Sequence, residues 1–217
     1  MDTKQILINA MKSGEIEKSI ELITKVLGEG VSATEIVNSL TRAIREVGDA
    51  FEKFDIFLPQ MMMASEAMIE IMKVLEPKIK EESSNSEKRS TKIVMATVKG
   101  DIHEIGKDIV ILLLRANRFD VLDMGGDADS LEIVKTAERE KANLIGLSAL
   151  MTTTMLGQKE VIEILKKKGL RDKFKVIIGG APTSQNWADN IGADGWAGDA
   201  SNAVRAVENL IKIDKGV

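Results

Sequence analysis

The sequence predicts an α/β protein in two parts, a four-helix bundle followed by a doubly wound domain with a five-stranded parallel sheet. Three observations support this fold class. Residues before about position 80 carry apolar side chains at helical spacing and contain no convincing strand. From residue 92 onward, short apolar runs alternate strictly with helical patterns. A polar, charged stretch over residues 80–91 separates the two patterns, which indicates a linker between two domains.

The N-terminal half predicts four helices joined by short loops, a pattern typical of an antiparallel bundle. Ser32 and Glu35 have the spacing of a capping box, in which the hydroxyl and the carboxylate each accept a backbone N–H, so a helix should begin there. Pro59 suits the first turn of the last helix, and Pro77 should end that helix. The predicted helices cover about residues 3–11, 15–27, 33–54 and 60–75.

The C-terminal half predicts strands over residues 92–98, 119–122, 144–148, 176–178 and 195–197. The helices that alternate with them cover residues 105–117, 130–141, 155–168, 184–191 and 199–213. Five parallel strands in this arrangement favour the flavodoxin-like (Rossmann-like) order 2-1-3-4-5, with the switch point between the first and third strands. We therefore expect a helical domain over residues 1–82, a linker over 83–91 and an α/β domain over 92–217.

Composition excludes several classes of site and partner. The chain of 217 residues has no cysteine and one histidine, so disulfides, thiolate chemistry and His-rich metal sites are excluded. A net charge of -4 gives no general affinity for nucleic acid or anionic membrane. No apolar run reaches the length of a membrane span, and the N-terminus lacks the form of a signal peptide, so we expect a cytoplasmic protein.

Three loops should meet at the carboxyl edge of the sheet, where open α/β sheets bind their ligands. They cover residues 100–106, 148–154 and 179–183 and are rich in glycine, small and hydroxyl residues. Such a lining suits a ligand with a long polar arm and a phosphate. Each feature also has a purely structural explanation, since the threonines could cap the next helix and the glycine pair could form a tight turn.

The residues of the first loop indicate which class of ligand the site binds. Asp101 precedes the sole histidine, His103, by two residues, so the carboxylate can bond one ring nitrogen and direct the other toward a metal. One protein ligand cannot hold a bare ion, but it can complete a metal held by a macrocycle, as in haem proteins. Flavin binding is the alternative for this fold, although the chain has no tyrosine to stack on the ring.

Longer motifs carry a resemblance to a known family. The chain contains, in order and at matching spacing, the three parts of the cobalamin-binding signature: Asp101-x-His103-x-x-Gly106, Ser148-x-Leu150 and Gly179-Gly180. The run GDIHEIGKDIV over residues 100–110 looks like the cobalamin module of methionine synthase, and FLPQM at 57–61 resembles the cap of that module. Over nearly its whole length the chain resembles the corrinoid proteins of methyltransferase systems for methylamines, methanol or methoxy compounds. The resemblance implies an N-terminal four-helix cap bundle and a C-terminal cobalamin-binding α/β domain.

The resemblance also implies roles for individual residues. His103 is the expected lower ligand of cobalt, with the cofactor's own base displaced, and Asp101 is expected to orient it. In the methionine synthase module an aspartate, the histidine and a serine form a hydrogen-bonded relay, and Thr154 stands at the position of that serine. Phe57 and Leu58 are expected to cover the upper face of the cofactor. The remaining cofactor contacts implied are Gly100, Ile102, Glu104, Ile105, Gly106, Ser148, Leu150, Thr152, Gly179, Gly180 and Ala200.

The implied function is that of a methyl carrier. The cofactor would be cobalamin, as methylcobalamin and cob(I)alamin, or a related corrinoid whose lower base the sequence does not identify. The partners would be a substrate-specific methyltransferase, an acceptor methyltransferase acting on a folate or a thiol, and a reductive activase. Both halves of the chain are assigned without a substrate-activating domain, so we expect a non-catalytic carrier subunit. A cobalamin-dependent sensor and the cobalamin subunit of a mutase are the alternatives within the family.

Overall fold

A computed structural model describes residues 3–82, 91–117 and 119–214. The chain divides into two compact units, Met1–Ser84 and Asn85–Val217. Of the linker predicted over 83–91, residues 83–90 lie outside the described part of the chain. Within the described part, none of the helices is both long enough and apolar enough to cross a membrane.

The N-terminal unit is the predicted bundle of four helices. The helices are α1 (Thr3–Lys12), α2 (Ile16–Gly28), α3 (Ala33–Glu52) and α4 (Leu58–Glu82). Their apolar faces meet in a core whose fully buried members include Leu7, Ile23, Leu40, Met68 and Ile71. Within a helix the buried residues are spaced three or four apart, as Met68, Ile71 and Leu75 are in α4, which explains why pattern alone located the helices.

The predicted end of the last helix is wrong. Helix α4 continues through Pro77 to Glu82 because the apolar period continues as well: Leu75 and Ile79 are four residues apart and both fully buried. Pro77 itself is exposed. Burial of Ile79 contributes about 2 kcal/mol. That gain helps to offset the hydrogen bond that the proline nitrogen cannot donate.

The predicted capping box forms only in part. The Ser32 hydroxyl accepts the N–H of Glu35 at 3.1 Å, as expected. The Glu35 carboxylate instead pairs with Lys4 at 2.5 Å. The carboxylate of Glu82 takes its place at the start of α3 and accepts the N–H of Ala33 at 2.6 Å. Glu82 reaches this position because α4 continues past Pro77, so the longer helix supplies a cap that the sequence did not predict.

The C-terminal unit contains a five-stranded parallel sheet in the predicted order β2-β1-β3-β4-β5. The strands are β1 (Lys92–Thr97), β2 (Asp120–Asp123), β3 (Leu144–Ser148), β4 (Lys175–Gly179) and β5 (Gly195–Ala197). The helices are α5 (Ile105–Ala116), α6 (Ser130–Arg139), α7 (Met155–Lys167), α8 (Gln185–Ile191) and α9 (Ala200–Asp214). Each predicted element lies within two residues of its observed bounds. A short 3-10 turn at Arg171–Lys173 was not predicted.

Helices α6, α7 and α8 pack on one face of the sheet, and α5 and α9 pack on the other. Side chains alternate along each strand, so Ile145 and Leu147 of β3 face the first group while Ser148 faces the second. Residues in register across four strands at the carboxyl edge face α5 and α9 and are all small: Thr97, Ser148, Gly179 and Ala197. We call these four residues the small-residue row. The row occupies little volume against these two helices, and we call the boundary between the row and the helices the crevice.

Candidate functional site

The three predicted loops do meet at the carboxyl edge of the sheet. The register places Thr97 beside Ser148 and Ser148 beside Gly179, so the three strands end side by side. The N–H of Val98 continues the pairing by donating to the carbonyl of Ser148 at 3.0 Å. The loops that leave these strands therefore share one surface, and Asp101 joins the first two of them.

Asp101 is fully buried, and its carboxylate organises the site. Oδ1 accepts the backbone N–H of His103 at 3.0 Å and lies 2.8 Å from Nδ1 of its ring. Oδ2 accepts the N–H of Leu150 at 2.7 Å, that of Met151 at 3.3 Å and the Thr154 hydroxyl at 2.7 Å. A buried carboxylate requires partners of this kind because isolated burial of its charge is strongly unfavourable.

The electrostatics favour the ionised form of this carboxylate. Burial alone would raise the pKa of Asp101, but the hydrogen bonds from Thr154, Leu150 and His103 outweigh burial and lower the pKa. An ionised carboxylate only accepts hydrogen bonds, so the contact with His103 places the ring proton on Nδ1. The lone pair of the neutral ring is then on Nε2, the nitrogen that Asp101 does not contact.

The surface around His103 is apolar and open. The His103 side chain is 47% exposed, although its Nδ1 is held by a buried group. Three apolar side chains from the same two loops are also exposed: Ile102 at 77%, Leu150 at 39% and Met151 at 37%. Exposed apolar side chains clustered beside a polar group are typical of a ligand surface. A flat, largely apolar ligand that offers a metal at its centre suits this arrangement.

Several positions around the crevice lack a bulky side chain. At Gly106, in the first turn of α5, an added Cβ would meet no atom within 4 Å. Gly180 is different: with φ of +124° and a Cβ position 1.7 Å from the Ala149 carbonyl oxygen, only glycine fits there. Ala200 is buried at the start of α9, and Ser148 lies half-buried in the small-residue row. Thr152 is exposed in the second loop.

A buried lysine also supports the first loop, and the sequence analysis missed it. The side chain of Lys107 is inaccessible to solvent, and its ammonium lies 2.6 Å from Asp123, 2.8 Å from Asp108 and 3.3 Å from Glu104. Burial alone would lower the pKa of Lys107, but Asp108 and Asp123 raise it, so the group stays charged. No local pattern indicates this contact, because Asp123 lies 16 residues further along the chain.

Asp127 holds the first loop from the side of β2. Its carboxylate accepts the N–H of Gly100 at 2.8 Å and pairs with Lys99 at 3.2 Å, and its N–H donates to the Asp101 carbonyl at 2.7 Å. The hydrogen bond from Gly100 and the charge of Lys99 lower its pKa. Asp127 adopts a left-handed φ of +49°, which is unfavourable for a residue with a Cβ. These contacts account for that conformation.

The remaining predicted residues are placed as follows. Glu104 precedes α5 and Ile105 is the first residue of that helix, so both border the His103 loop. Phe57 and Leu58 belong to the N-terminal unit, where both are exposed. Phe54, beside them in the sequence, is also exposed and has a left-handed φ of +62°. The role of Phe57 and Leu58 as cofactor contacts stays a prediction.

The donor set fits a metal in a macrocycle better than a bare ion. The carboxylates of Glu104, Asp108 and Asp123 come together, but they surround the ammonium of Lys107. On the apolar surface, the described residues offer a metal the Nε2 atom of His103. One imidazole is sufficient where four in-plane ligands are already supplied. The open position at Gly106 and the small side chains of the row suit an appended arm.

Known families and relatives match most of this chain. Residues 91–208 and 4–76 match two B12 binding domain families. The chain is 43% identical to a corrinoid protein of Desulfitobacterium hafniense, over 94% of this chain and 95% of that one. It is 42% identical to dimethylamine corrinoid protein 3 of Methanosarcina acetivorans, over 94% of each chain.

Two solved structures are also similar. The monomethylamine corrinoid protein of Methanosarcina barkeri superposes with a TM-score of 0.85 at 36% identity, over 94% of this chain and 96% of that one. A chain of the methanol:cobalamin methyltransferase complex of the same organism has a TM-score of 0.54 at 29% identity, over 95% of this chain and 78% of that one. The sequence motifs, the parallel sheet and these relatives agree, and the chain belongs to the B12-binding corrinoid proteins of methyltransferase systems.

Proposed function

We propose that this protein carries a methyl group on a corrinoid bound through His103, with the cofactor's own base displaced. One observation carries the proposal: a fully buried carboxylate holds the single histidine by Nδ1 and leaves Nε2 on an exposed apolar surface. When bound, the cobalt supplies the chemistry, accepting a methyl group from a donor and giving it to an acceptor. The chain supplies the ligand, its orientation and the surrounding surface.

The Asp101–His103–Thr154 set fixes the direction of the ligand. Asp101 keeps the ring in the tautomer that binds a metal through Nε2, and it makes the imidazole a stronger donor. Thr154 holds the other oxygen of Asp101 at 2.7 Å. The ring therefore has little freedom to rotate, which favours binding because less motion is lost.

The small-residue row and the loop glycines form the second part of the proposed binding site. Ser148 and Thr152 offer hydroxyls to the polar arm of the corrinoid, Gly179 and Gly180 let the arm approach backbone, and Ala200 lines the far side. Residues 1–82 form a cap whose Phe57 and Leu58 cover the upper face, 83–91 form the linker, and 92–217 form the cobalamin-binding domain.

We propose a methylated amine as the methyl source, with methanol or a methoxy compound as alternatives. Support comes from the dimethylamine and monomethylamine corrinoid proteins to which the chain is similar. The solved methanol system is a complex that includes a methyltransferase. By analogy, a substrate-specific methyltransferase would load this carrier, a second methyltransferase would pass the methyl group to a folate or a thiol, and a reductive activase would restore cob(I)alamin. These names favour a carrier over a sensor or a mutase subunit.

A transfer assay tests this function. The holo-protein, reduced and freed of unbound corrinoid, is incubated with a dimethylamine-specific methyltransferase and 13C-labelled dimethylamine, and the protein-bound label is measured by mass spectrometry. We expect label on the wild-type carrier and its loss when a thiol-specific or folate-specific acceptor methyltransferase is added. Parallel reactions with monomethylamine and methanol enzymes identify the donor.

The His103→Ala variant is the matched control. It removes the proposed ligand from an exposed loop and leaves the packed core intact, so the protein should fold. Its Co(III) spectrum should shift relative to the wild type, and methyl transfer should fall. Wild-type spectrum, corrinoid affinity and transfer in this variant would contradict the ligand assignment. Failure of every donor enzyme to label the wild-type carrier would contradict the carrier function.

A further inference from the structure

Gln158 is a fully buried polar residue near the site that the proposed function does not use. Its amide nitrogen donates to the carbonyl of Leu147 at 3.1 Å and to that of Gly179 at 3.0 Å. Its amide oxygen accepts the indole N–H of Trp187 at 3.0 Å. One side chain therefore joins α7 to the carboxyl ends of β3 and β4 and to α8.

The position of these contacts relates them to the crevice. Helix α7 packs on the opposite face of the sheet from α5 and α9, so Gln158 contacts the strand ends from the face opposite the crevice. Leu147 immediately precedes Ser148, and Gly179 is itself in the small-residue row. By bonding both carbonyls, the amide fixes the two strand ends relative to each other. Those ends form the floor of the crevice on the other face.

Gln158 also shares a helix turn with the relay. It follows Thr154 by four residues, and residues at this spacing lie on one face of a helix. Thr154 bonds the Asp101 carboxylate while Gln158 bonds the strand ends, so the start of α7 is held at both places. Burying a primary amide is unfavourable unless its hydrogen-bonding groups are satisfied, and here both amide hydrogens and the oxygen have partners. A methionine of similar length would avoid that requirement.

We infer that Gln158 is a positioning residue for the polar arm of the corrinoid, acting through the backbone of Leu147 and Gly179. This inference rests on the proposed function, since it assumes that the crevice holds the arm. Trp187 fixes the orientation of the Gln158 amide, because its indole N–H donates to the amide oxygen and both amide hydrogens then face the strands. Gln158 sets the shape of the crevice floor, since its own hydrogen bonds join Leu147, Gly179 and Trp187 and do not include Asp101 or His103.

Two corrinoids separate the arm from the ring. Hydroxocobalamin carries the nucleotide arm, and aquocobinamide has the same ring without the nucleotide. Their dissociation constants are measured by calorimetric titration for the wild type, for Gln158→Met and for the surface control Gln185→Met, whose side chain is exposed on α8. The unfolding temperature of each cofactor-free protein is recorded in parallel.

We expect Gln158→Met to weaken hydroxocobalamin binding by about tenfold, the effect of losing about 1.4 kcal/mol of preorganisation. Its affinity for aquocobinamide should equal that of the wild type, and the control should match the wild type for both ligands. Trp187→Phe, which keeps the ring and removes the N–H, should give a smaller loss of the same selectivity. It also serves as the test if Gln158→Met does not fold.

Equal weakening of both corrinoids would overturn the inference, because it would indicate a general structural role. Unchanged affinity for both would overturn it as well. A wild type that binds the two corrinoids equally well would show that the crevice does not hold the arm. A wild type that binds neither would contradict the proposed function itself, so the two failures are distinguishable.

Discussion

Asp101 shows how a single residue can combine folding and function. Its carboxylate accepts hydrogen bonds from residues on two loops, so it closes the site as a structural link between β1 and β3. The same contacts keep it ionised and direct it at His103. The sequence predicted this pair because its two-residue spacing is local. It did not predict Lys107 with Asp123, or Gln158 with Trp187, because those partners are far apart in the chain and leave no local pattern.

The hydroxyl and the methyl group of Thr154 can be separated by two substitutions. Thr154→Val keeps the shape and removes the donor to Asp101, whereas Thr154→Ser keeps the donor and removes the methyl group. We expect the valine variant to lose about 10–100-fold in corrinoid affinity or methyl transfer, as is usual when a ligand's hydrogen-bonded support is removed. The serine variant should stay near the wild type. Equal effects of the two substitutions on the titrated affinity would contradict a role for the hydroxyl.

Gly106→Ala tests whether space at this position is kept for a ligand. In the cofactor-free protein the added Cβ meets no atom within 4 Å, and alanine favours a helix over glycine by up to about 1 kcal/mol. The variant should therefore unfold at the same or a higher temperature than the wild type and bind hydroxocobalamin more weakly. Gly180→Ala should unfold at a lower temperature than the wild type and also bind hydroxocobalamin more weakly, because its Cβ would overlap the Ala149 carbonyl. Unchanged binding by a stable Gly106→Ala variant would contradict ligand contact at this position.

At the scale of elements, periodicity located each strand and helix because apolar patterns record which face is buried. The ends of elements depend on other contacts. Helix α4 passes Pro77 because Ile79 is buried and Glu82 reaches the start of α3, and neither contact is visible in a local pattern. Strand–helix alternation predicted the order of the strands in the sheet. It did not predict on which face of the sheet a buried polar residue such as Gln158 makes its contacts.

The contribution of the Glu82 cap on α3 to the free energy of unfolding can be measured. Glu82→Ala removes a charged acceptor from a helix N-terminus, which should cost about 1 kcal/mol of unfolding free energy. Glu81→Ala is the matched control, since Glu81 is exposed and pairs with Lys78 on the helix surface. Both tryptophans lie in the C-terminal unit, so circular dichroism combined with tryptophan fluorescence separates the two units during denaturation. Equal stability of the two variants would contradict the capping role.

At the scale of the whole molecule, each unit has its own buried core, and the chain links them once. The bundle buries residues such as Leu40 and Met68, and the sheet domain buries Ile145 and Val176. The change in composition near residue 80 predicts two domains joined by a polar linker, since a polar stretch with no apolar period is not expected to form a core.

Limited proteolysis tests the division. Residues 83–91 contain Lys88 and Arg89 and no large apolar side chain, so brief trypsin treatment should cleave there first. The expected products are two fragments corresponding to the bundle and the sheet domain, identified by mass spectrometry. First cleavage within residues 3–82 or 92–214, for example in the loop after β2, would contradict the assignment of the linker.

The proposed function depends most on direct ligation of cobalt by His103, and because the chain has one histidine, that ligation can be tested without mutation. The protein is produced with 15N-labelled histidine, loaded with unlabelled cobalamin and reduced to Co(II), and its electron paramagnetic resonance spectrum is recorded. Ligation by His103 predicts that each cobalt line splits into a doublet, because 15N has nuclear spin one-half. Triplet splitting identical to that of unlabelled protein would show that the cofactor keeps its own base, and it would contradict the central claim.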